Sequence, residues 1–457
     1  MRKASKIAFV SLLSLCLFIF CFFIATLFEP NTFHKFFSAI SLEKVENSEE
    51  IKDKAGYYYD VSAYAAMAIK NQCSAFYPMV PWITRYLFNP QSFEQAVIGL
   101  KIISSIAFII GIPIFYYLCE NISKNQNLSL LVTLLFAISP MAIFRVIGYT
   151  EGIFSIFCLI LIWLINNLNT NKKILYVFTF LIVSIMSLSR PIALQLIFSS
   201  FISLAIIILI EKSKSNSAWQ DLISIRKNEY RHLIYLFLVI TFAALLGYSI
   251  YGSMCWQLRG DFLAPFNDQK LWGKSLGIYP QIFLSLEYPL FEQMSLYFPI
   301  FLLIGICICL YSFINQVKTE VFIPSSAIGW WLLSLYPSIF FLIYIIKFSF
   351  IKIKKIKLIT VDLYDSLEAK AIFTNYTFWF CFCFVMSHIM INLLTVNKIY
   401  SLARFTFGLP FFFIVLIYIL KNFKNKGINN LLKWFIFVQV IALVEQWVRY
   451  GGNQWIG

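Results

Sequence analysis

The sequence predicts an all-α, polytopic membrane protein that forms a single domain over residues 1–457. Of its residues, 60% are hydrophobic and only 13% are charged, and its mean hydropathy is +0.77. Soluble domains average about half apolar and about a quarter charged residues. Apolar runs of roughly 20 residues, the length that crosses a bilayer as a helix, recur along the whole chain. About 11 to 13 transmembrane helices are therefore expected, with no linker to a separate soluble domain.

The candidate transmembrane helices follow one another through mostly short connections. The first apolar run, residues 7–28, follows the basic start MRKASK. It exceeds the roughly 7–15 residues of a signal-peptide core, so a retained anchor helix is expected. The runs lie near residues 7–28, 97–118, 128–147, 152–168, 174–188, 192–210, 233–252, 296–315, 322–346, 371–394, 403–420 and 432–447.

Basic loops predict the orientation. By the positive-inside rule, the N-terminus and the basic stretches at Lys172, 211–232, Lys357 and Lys426 lie on the cytoplasmic side. The two long loops, 29–96 and 253–295, then lie on the outer side, in the ER lumen or the bacterial periplasm. The protein is expected in the ER membrane of a eukaryote or the inner membrane of a bacterium.

One segment breaks the alternation of sides. If 296–315 and 322–346 each crossed once, the basic run that ends at Lys357 would lie outside. Residues 322–346 contain two prolines and a glycine, which disfavour one regular helix. A broken segment, a re-entrant segment and two short crossings all remain open.

The composition also excludes several functions. The net charge is +15, but lysine and arginine lie mostly in short loops, where they set topology, so no nucleic-acid partner is expected. No phosphate-binding glycine loop is present, and the histidines, cysteines and carboxylates do not have metal-ligand spacing. Neither a cofactor nor a resident metal is therefore expected. Most cysteines lie in apolar runs and are interpreted as small apolar side chains.

Ionisable residues at the membrane boundary are distributed unevenly. Such groups are costly near lipid and are functional candidates by default. The predicted topology places most of them on the outer side, whereas the other side has mainly the basic loops that orientation demands. This asymmetry predicts a reaction site at the outer membrane surface. The residues are Asp60, Arg145, Glu151, Arg190, Arg259, Asp261, Asp268, Lys274 and Arg404.

Asp60 is the candidate general base. It precedes Tyr64 by one helical turn, so the two side chains would share a face. The stretch AFYPMVP that follows cannot continue as a helix and predicts a stiff aromatic turn around Tyr77. A carboxylate beside lipid is suited to proton abstraction. The alternative is that Asp60 caps the short helix.

Four further polar residues are candidates for substrate binding. Arg190 in SLSRPIAL and Arg404 in ARFTFGLP have the planar guanidinium that suits a lipid phosphate, or they extend to the interface. Glu151 either contacts substrate or pairs with a cation such as Arg145. Asp261 lies in the polar loop GDFLAPFNDQKLWGKS, which either holds a sugar or is a solvated loop.

Four ordered motifs resemble the GPI mannosyltransferase 2, or PIG-V-like, family. They read YDVSAYAAMAIKNQCSAFYPMVP, SPMAIFRVIGYTE, LSRPIAL and GDFLAPFNDQKLW, with weaker support from ARFTFGLP. The resemblance implies a GT-C membrane glycosyltransferase fold and a polyprenyl- or dolichyl-phosphate-linked mannose donor. It also implies an essential acid in the first outer loop, which would be Asp60. Asn71-Gln72 replaces the family's Gly-Tyr, so a bacterial relative that does not build GPI anchors is left open.

A glycosyltransferase of this kind would assign a role to each candidate residue. Asp60 would activate the acceptor hydroxyl in one inverting displacement, and Tyr64 and Tyr77 would shape the pocket. Arg190 and Arg404 would neutralise the lipid phosphate. Glu151 and Asp261 would orient the sugar or the acceptor, a glycolipid or another glycan.

Two other function classes compete with this hypothesis. A transporter or lipid flippase would place ionisable groups at mid-membrane and often shows inverted repeats. No repeat is evident here, and the charged groups lie at loop edges. A non-catalytic membrane subunit, or an enzyme that works with a partner subunit in the membrane, is the remaining alternative.

Overall fold

The computed structural model describes residues 3–37, 59–167, 171–213, 219–283, 290–315, 319–321, 359–361, 372–395, 399, 401–421, 426–454 and 456. Most of these residues are helical, which confirms the all-α prediction. Two short antiparallel strands are present as well. β1 (Thr319–Val321) pairs with β2 (Ile359–Val361), with Glu320 opposite Thr360. The predicted span 322–346 lies outside the described residues.

The described helices follow the apolar runs of the sequence. Three 3-10 helices, Pro140–Arg145, Asp268–Trp272 and Pro280–Phe283, lie among them. The α-helices are α1 (Lys3–Phe28), α2 (Asn31–Phe37), α3 (Tyr59–Ile69), α4 (Met79–Phe88), α5 (Phe93–Ser123), α6 (Gln126–Ala137), α7 (Glu151–Asn166), α8 (Lys172–Ser189), α9 (Ala193–Ser213), α10 (Trp219–Arg259), α11 (Ala264–Asn267), α12 (Leu290–Asn315), α13 (Tyr376–Thr395), α14 (Leu402–Phe407), α15 (Phe411–Leu420) and α16 (Lys426–Gly451).

Eight of the described helices are long and apolar enough to cross a membrane: α1, α5, α8, α9, α10, α12, α13 and α16. Four apolar helices, α3, α6, α7 and α15, are shorter. Together these helices make the chain an integral membrane protein. The number of crossings stays a prediction, since it depends on residues 322–346.

Two predicted spans are interrupted in the structure. The span 128–147 forms α6 and then the 3-10 helix that starts at Pro140. Proline has no backbone N–H, so Pro140 cannot donate a hydrogen bond to the preceding helical turn. The span 403–420 forms α14 and α15, separated by Gly408 and Pro410. Both interruptions lie beside the candidate site, where they place side chains that a continuous helix would place elsewhere.

Hydrogen bonds between distant segments define one end of the helix bundle. Lys101 Nζ, near the start of α5, donates to the carbonyl of Lys35 in α2 (2.7 Å). Lys35 Nζ donates to the carbonyl of Tyr450 at the end of α16 (2.7 Å). The loop residue Ser275 donates its N–H to the carbonyl of Thr395 at the end of α13 (2.9 Å). We call this the Asp60 end, because Asp60 lies here as well.

The opposite end of the bundle has the basic residues that the orientation rule places in the cytoplasm. Lys6 Nζ donates to Gln126 at the start of α6 (2.6 Å), and the exposed Lys172 begins α8. Tyr418, near the end of α15, donates to Asn166 at the end of α7 (2.6 Å). The helix directions thus agree with the predicted alternation over the described part of the chain.

A disulfide joins the two long loops at the Asp60 end. Cys73, after α3, is bonded to Cys255, near the end of α10, across 182 residues of sequence. The Tyr251 hydroxyl bonds to the backbone of Ser74 and donates to the carbonyl of Phe76 (2.6 Å). The interpretation of most cysteines as apolar side chains did not anticipate this bond. Structural disulfides persist in oxidising compartments, which is compatible with a lumenal or periplasmic position for this end.

Close packing, which drives helix association in lipid, is visible along the bundle. Gly247 of α10 faces α8 so closely that a Cβ atom there would lie 2.3 Å from the carbonyl oxygen of Ser184. At the Asp60 end the buried Trp447 contacts the rings of Phe18, Phe22 and Phe36, with centroids 4.9–5.8 Å apart. These contacts fix the ends of α1, α2 and α16 around the loops that hold the site.

Candidate active site

Asp60 lies in the first turn of α3 and is the most exposed member of a cluster of charged side chains. Its Oδ2 accepts a hydrogen bond from Arg404 Nη1 at 2.5 Å, across 344 residues of sequence. The side chain retains 24% of its accessible surface. Within the described residues its Oδ1 has no hydrogen-bond partner. The carboxylate therefore pairs with Arg404 instead of capping α3, and it has one oxygen available towards solvent.

Arg404 is the residue that links the cluster. It lies on α14, and its buried guanidinium binds Asp60 through Nη1 and Glu151 through Nε. The Tyr149 ring lies 4.4 Å from the guanidinium, in a cation–π contact. An arginine keeps its charge at every physiological pH, and two carboxylates compensate that charge here. This side chain is therefore a permanent cation.

Glu151 is the buried acid of the cluster. It begins α7, where the helix dipole favours a negative charge, and its side chain is fully buried. Its Oε1 accepts from Arg190 Nη1 (2.5 Å) and from Arg404 Nε, whereas its Oε2 has no partner among the described residues. A Cβ atom at the following Gly152 would lie 2.7 Å from the carbonyl oxygens of Arg145 and Ser104. Glycine there lets α7 begin close enough to seal Glu151 from solvent.

Arg190 holds the other side of Glu151. It is the extended residue that ends α8, before Pro191, so its side chain leaves the helix axis. Its guanidinium lies 4.7 Å from the Phe405 ring, and its Nη1 is 3.5 Å from the Thr150 hydroxyl. Its buried Nε has no hydrogen-bond partner in the described part of the chain. One donor of this arginine therefore remains available.

The charges of the four residues balance. We call Asp60, Glu151, Arg190 and Arg404 the ion-pair cluster; it holds two carboxylates and two guanidinium groups. Burying an unpaired ion costs roughly several kcal/mol, and the pairing of each carboxylate with a guanidinium group offsets that cost. A phosphate that entered beside Asp60 would meet two arginines whose positions are already fixed.

Two tyrosines border the cluster. Tyr64, one turn after Asp60, is buried and packs edge-on against Phe76 (5.3 Å between centroids). Burial and the Asp60 charge raise the pKa of Tyr64 to about 12. Burial and Asp60 also raise the pKa of Tyr149 well above its usual range. Both hydroxyls are therefore protonated at physiological pH and can donate hydrogen bonds.

Tyr77 and Asp261 lie apart from the ion-pair cluster. Tyr77 is buried in the aromatic turn and packs on Tyr251, with centroids 4.9 Å apart. Asp261 accepts from the N–H of Leu263 (2.8 Å) and from the Asn267 side chain (3.0 Å), so it orders the start of the second outer loop. The structure thus brings four of the predicted residues together with Tyr64 beside them, while Tyr77 and Asp261 have local partners.

Sequence reasoning missed a histidine beside the cluster. His388 of α13 packs on Phe405 (4.8 Å between centroids), the ring that also contacts Arg190. Lys274, which the sequence had already placed among the charged residues of the outer side, lies in the second outer loop; burial lowers its pKa, and the charge of Asp60 acts in the opposite direction. The backbone bonds between Ser275 and α13 hold this loop over the site. A lone histidine in an apolar run gave no signal of this position.

No protein-family model and no curated protein sequence matches the chain. The resemblance to GPI mannosyltransferase 2 therefore stays a prediction from the four motifs. Among solved structures, the chain is similar to an oligosaccharyltransferase of Archaeoglobus fulgidus, crystallised with a tethered acceptor peptide, at a TM-score of 0.39 and 12% identity. The match covers 96% of this chain and 55% of that one, so this chain spans about half its length.

Proposed function

We propose that this protein is a GT-C membrane glycosyltransferase. It transfers a hexose, mannose by the motif resemblance, from a polyprenyl- or dolichyl-phosphate-linked donor to a glycolipid or other glycan acceptor. The observation that supports this proposal is the ion-pair cluster at the Asp60 end, with one partly exposed carboxylate among fixed guanidinium groups. A sugar tethered to a membrane lipid must be met at the bilayer surface, and this is where the cluster lies in the predicted topology.

In this proposal Asp60 is the general base. The acceptor hydroxyl gives its proton to Asp60 as its oxygen forms a bond to the anomeric carbon of the donor sugar. The bond between that carbon and the phosphate oxygen breaks, and the electron pair leaves with the polyprenyl phosphate. A single displacement inverts the anomeric centre. The Oδ1 atom, which has no partner among the described residues, is the proton acceptor.

Arg404 and Arg190 bind the lipid phosphate in the same proposal. Guanidinium groups match the geometry of phosphate oxygens and stay charged at every physiological pH. The phosphate would share Arg404 with Asp60, which would bring the leaving group and the base to one side chain. Charge that develops on the phosphate oxygen in the transition state would then be stabilised by groups already in position.

Glu151 takes a different role from the one its sequence position suggested. Since its side chain is fully buried beneath both arginines, direct contact with a sugar hydroxyl would require the cluster to open. We propose that it positions Arg190 and Arg404. Tyr64 donates a hydrogen bond to the substrate, and Tyr77 keeps the aromatic turn rigid. Asp261 contacts the acceptor from the second outer loop.

The position of the charged groups supports a transferase over a transporter. A transport path would need polar groups distributed across the bundle. The ion-pair cluster instead lies at one end, and Glu151, its innermost member, is fully buried. A partner subunit in the membrane is compatible with this proposal.

The direct test is sugar transfer by the purified protein alone. We expect incorporation of labelled mannose from a polyprenyl-phosphate-linked donor into a membrane glycolipid acceptor fraction, and less incorporation from the corresponding glucose donor. Accessibility labelling of a cysteine introduced near Asp60 should place it outside the cytoplasm. Absence of transfer with every lipid-linked hexose, or a cytoplasmic position for Asp60, would refute the proposal.

A further inference from the structure

The helix that holds Arg404 is too short to fix that residue by itself. α14 spans six residues, and isolated helices of this length are unstable because nucleation costs more than so few hydrogen bonds return. Its first residue follows Ser401, which has a left-handed backbone (φ 59°) and makes no side-chain cap. Something outside the helix must therefore set its position.

A buried carboxylate from α12 holds the N-terminus of α14. Glu292 Oε2 accepts the N–H of Ala403 at 2.9 Å, and the N–H groups of Ser401 and Leu402 also face the carboxylate. These are the donors that the first turn of a helix leaves without partners. Glu292 is only 1% exposed, and 111 residues separate it from Ala403. It acts as a helix cap contributed by another transmembrane segment.

A buried arginine from the 3-10 helix Pro140–Arg145 holds the C-terminus of α14. Arg145, also 1% exposed, donates from Nε to the carbonyl of Gly408 (2.9 Å) and from Nη2 to the carbonyl of Phe407 (3.1 Å). Its Nη1 donates to the carbonyl of Phe136 (2.9 Å), whose ring lies 3.7 Å from the guanidinium. The arginine is thus bound to the last carbonyls of α14 and anchored to α6.

The two charges match the polarity of the helix that they hold. A helix is positive at its N-terminus and negative at its C-terminus, so an acid at the first end and an arginine at the second are both favourable. We infer that Glu292 and Arg145 are positioning residues that fix Arg404 in the ion-pair cluster by clamping both ends of α14. Neither touches Asp60 or Glu151 in the described contacts, so each acts through the helix.

The first test does not depend on enzymatic activity. Phenylglyoxal modifies accessible arginines, and modification of each residue can be followed by mass spectrometry. Arg404 should be protected in the native protein and react about tenfold faster or more in Glu292→Leu and Arg145→Met, because the released helix opens locally. Arg259, whose side chain is 43% exposed, should react equally in all of them.

If Glu292→Leu and Arg145→Met do not fold, more conservative variants of the same residues still test the inference. Glu292→Gln retains an acceptor for Ala403, and Arg145→Lys retains a cation near the carbonyls, so smaller increases in the same direction are expected. Tyr418→Phe is the matched control: it removes the hydroxyl that donates to Asn166 at the opposite end of the bundle and should leave Arg404 protected. Protection of Arg404 that persists in every folded Glu292 and Arg145 variant would overturn the inference.

The second test rests on the proposed function and uses transfer from a polyprenyl-phosphate-linked sugar. Glu292→Gln should raise the donor KM roughly tenfold and leave the acceptor KM unchanged, since Arg404 is the phosphate ligand. In an Arg404→Met background the same change should have less than about a twofold effect, because its target is gone. If the effects of Glu292→Gln and Arg404→Met on the donor KM multiply, Glu292 does not act through Arg404 and its role is structural. If neither the native protein nor any variant transfers sugar, the proposed function fails. The labelling experiment still shows whether Glu292 and Arg145 hold α14 in place.

Discussion

Two clusters bury positive charge at the Asp60 end, and their partners differ. In the ion-pair cluster, Arg404 binds two carboxylates, and one of these, Asp60, is partly exposed. In the second cluster, Lys101 donates to the carbonyls of Lys35 and Phe36 in α2, and Lys35 donates to the carbonyl of Tyr450 in α16. The first places opposite charges around a carboxylate that is partly exposed. The second uses ammonium groups to satisfy carbonyls at two helix termini.

The partners of a buried cation distinguish a structural role from a candidate site. A cation that ends on backbone carbonyls completes the hydrogen bonding of a helix terminus, and this explains its burial without any ligand. A cation held between carboxylates does not complete the hydrogen bonding of a helix terminus, so its burial needs another explanation. The lysines are therefore assigned to the architecture, and Arg190 and Arg404 to the proposed chemistry, although both kinds lie at the same level of the bundle.

Substitution of Asp60 should produce the largest effect. Asp60→Asn keeps the shape of the side chain and removes the base, so transfer from a polyprenyl-phosphate-linked sugar should fall by about 10³-fold. The measurement is the initial rate with saturating donor and acceptor in detergent. Removal of the ammonium of Lys101, by contrast, should not change the rate beyond its effect on folding.

Asp268→Asn is the matched control for this prediction. It changes a carboxylate at the same end of the bundle whose described salt bridge is to the exposed Arg259, outside the ion-pair cluster, and the rate should fall less than about tenfold. A folded Asp60→Asn protein with the native rate would remove Asp60 from the chemistry and leave the ion-pair cluster with a structural role like that of the lysines.

The second prediction compares the stability of the two clusters. Glu151→Gln leaves Arg190 and Arg404 buried with only Asp60 to balance them, so it should destabilise the protein by about 3–5 kcal/mol. Lys101→Met removes a buried charge and one donor from the carbonyls of Lys35 and Phe36, at a cost of about 1–2 kcal/mol. The Lys35 carbonyl keeps the Tyr450 hydroxyl as a donor. Thermal unfolding in detergent should rank the two variants in that order. An equal or reversed ranking would show that the carboxylate is not essential to the arginine pair.

The third prediction concerns the disulfide that joins the two outer loops. Cys73→Ser should lower the stability of the protein by about 2–4 kcal/mol, because the bond closes a loop of 182 residues. The measurement is the shift in thermal unfolding with and without reductant; the native protein should respond to reductant, whereas Cys73→Ser should not. Cys16→Ser, at an exposed free cysteine of α1, is the control and should not change either value. Reduced thiols in protein isolated from cells would place this end in a reducing compartment.

The sequence was sufficient for most of the described helices and for the gathering of the candidate charged residues at one end of the bundle. Apolar run length predicts α1 and α5 because crossing lipid demands about 20 apolar residues, whatever the neighbours are. The same rule failed over 403–420, where it predicts one helix. The division into α14 and α15 depends on the Gly408–Pro410 corner and on Arg145, which binds its carbonyls.

The pairings inside the site could not be predicted, because they join residues far apart in the chain. Arg404 and Asp60 are separated by 344 residues, and Glu292 reads in sequence as one more acid at the start of an apolar run. Arg145 was considered a partner for Glu151; in the structure its described hydrogen bonds go to backbone carbonyls. Residue type identified the candidates, whereas only tertiary packing shows which charge meets which.

The smallest effect is expected from the titration of Lys35. Burial and the nearby Lys101 charge lower the pKa of Lys35 from 10.5 to about 8. Its amine should therefore become reactive towards acetic anhydride at a pH about two units lower in the native protein than in the unfolded chain, as followed by mass spectrometry. Between pH 8 and 10.5 the unfolded state binds this proton more tightly than the native state, so stability should rise with pH in that window. Lys101→Met should move the pKa of Lys35 upwards. A native Lys35 that titrates like the unfolded one would show that its ammonium is solvated, and the distinction between a buried structural cluster and a partly open reactive one would lose its physical basis.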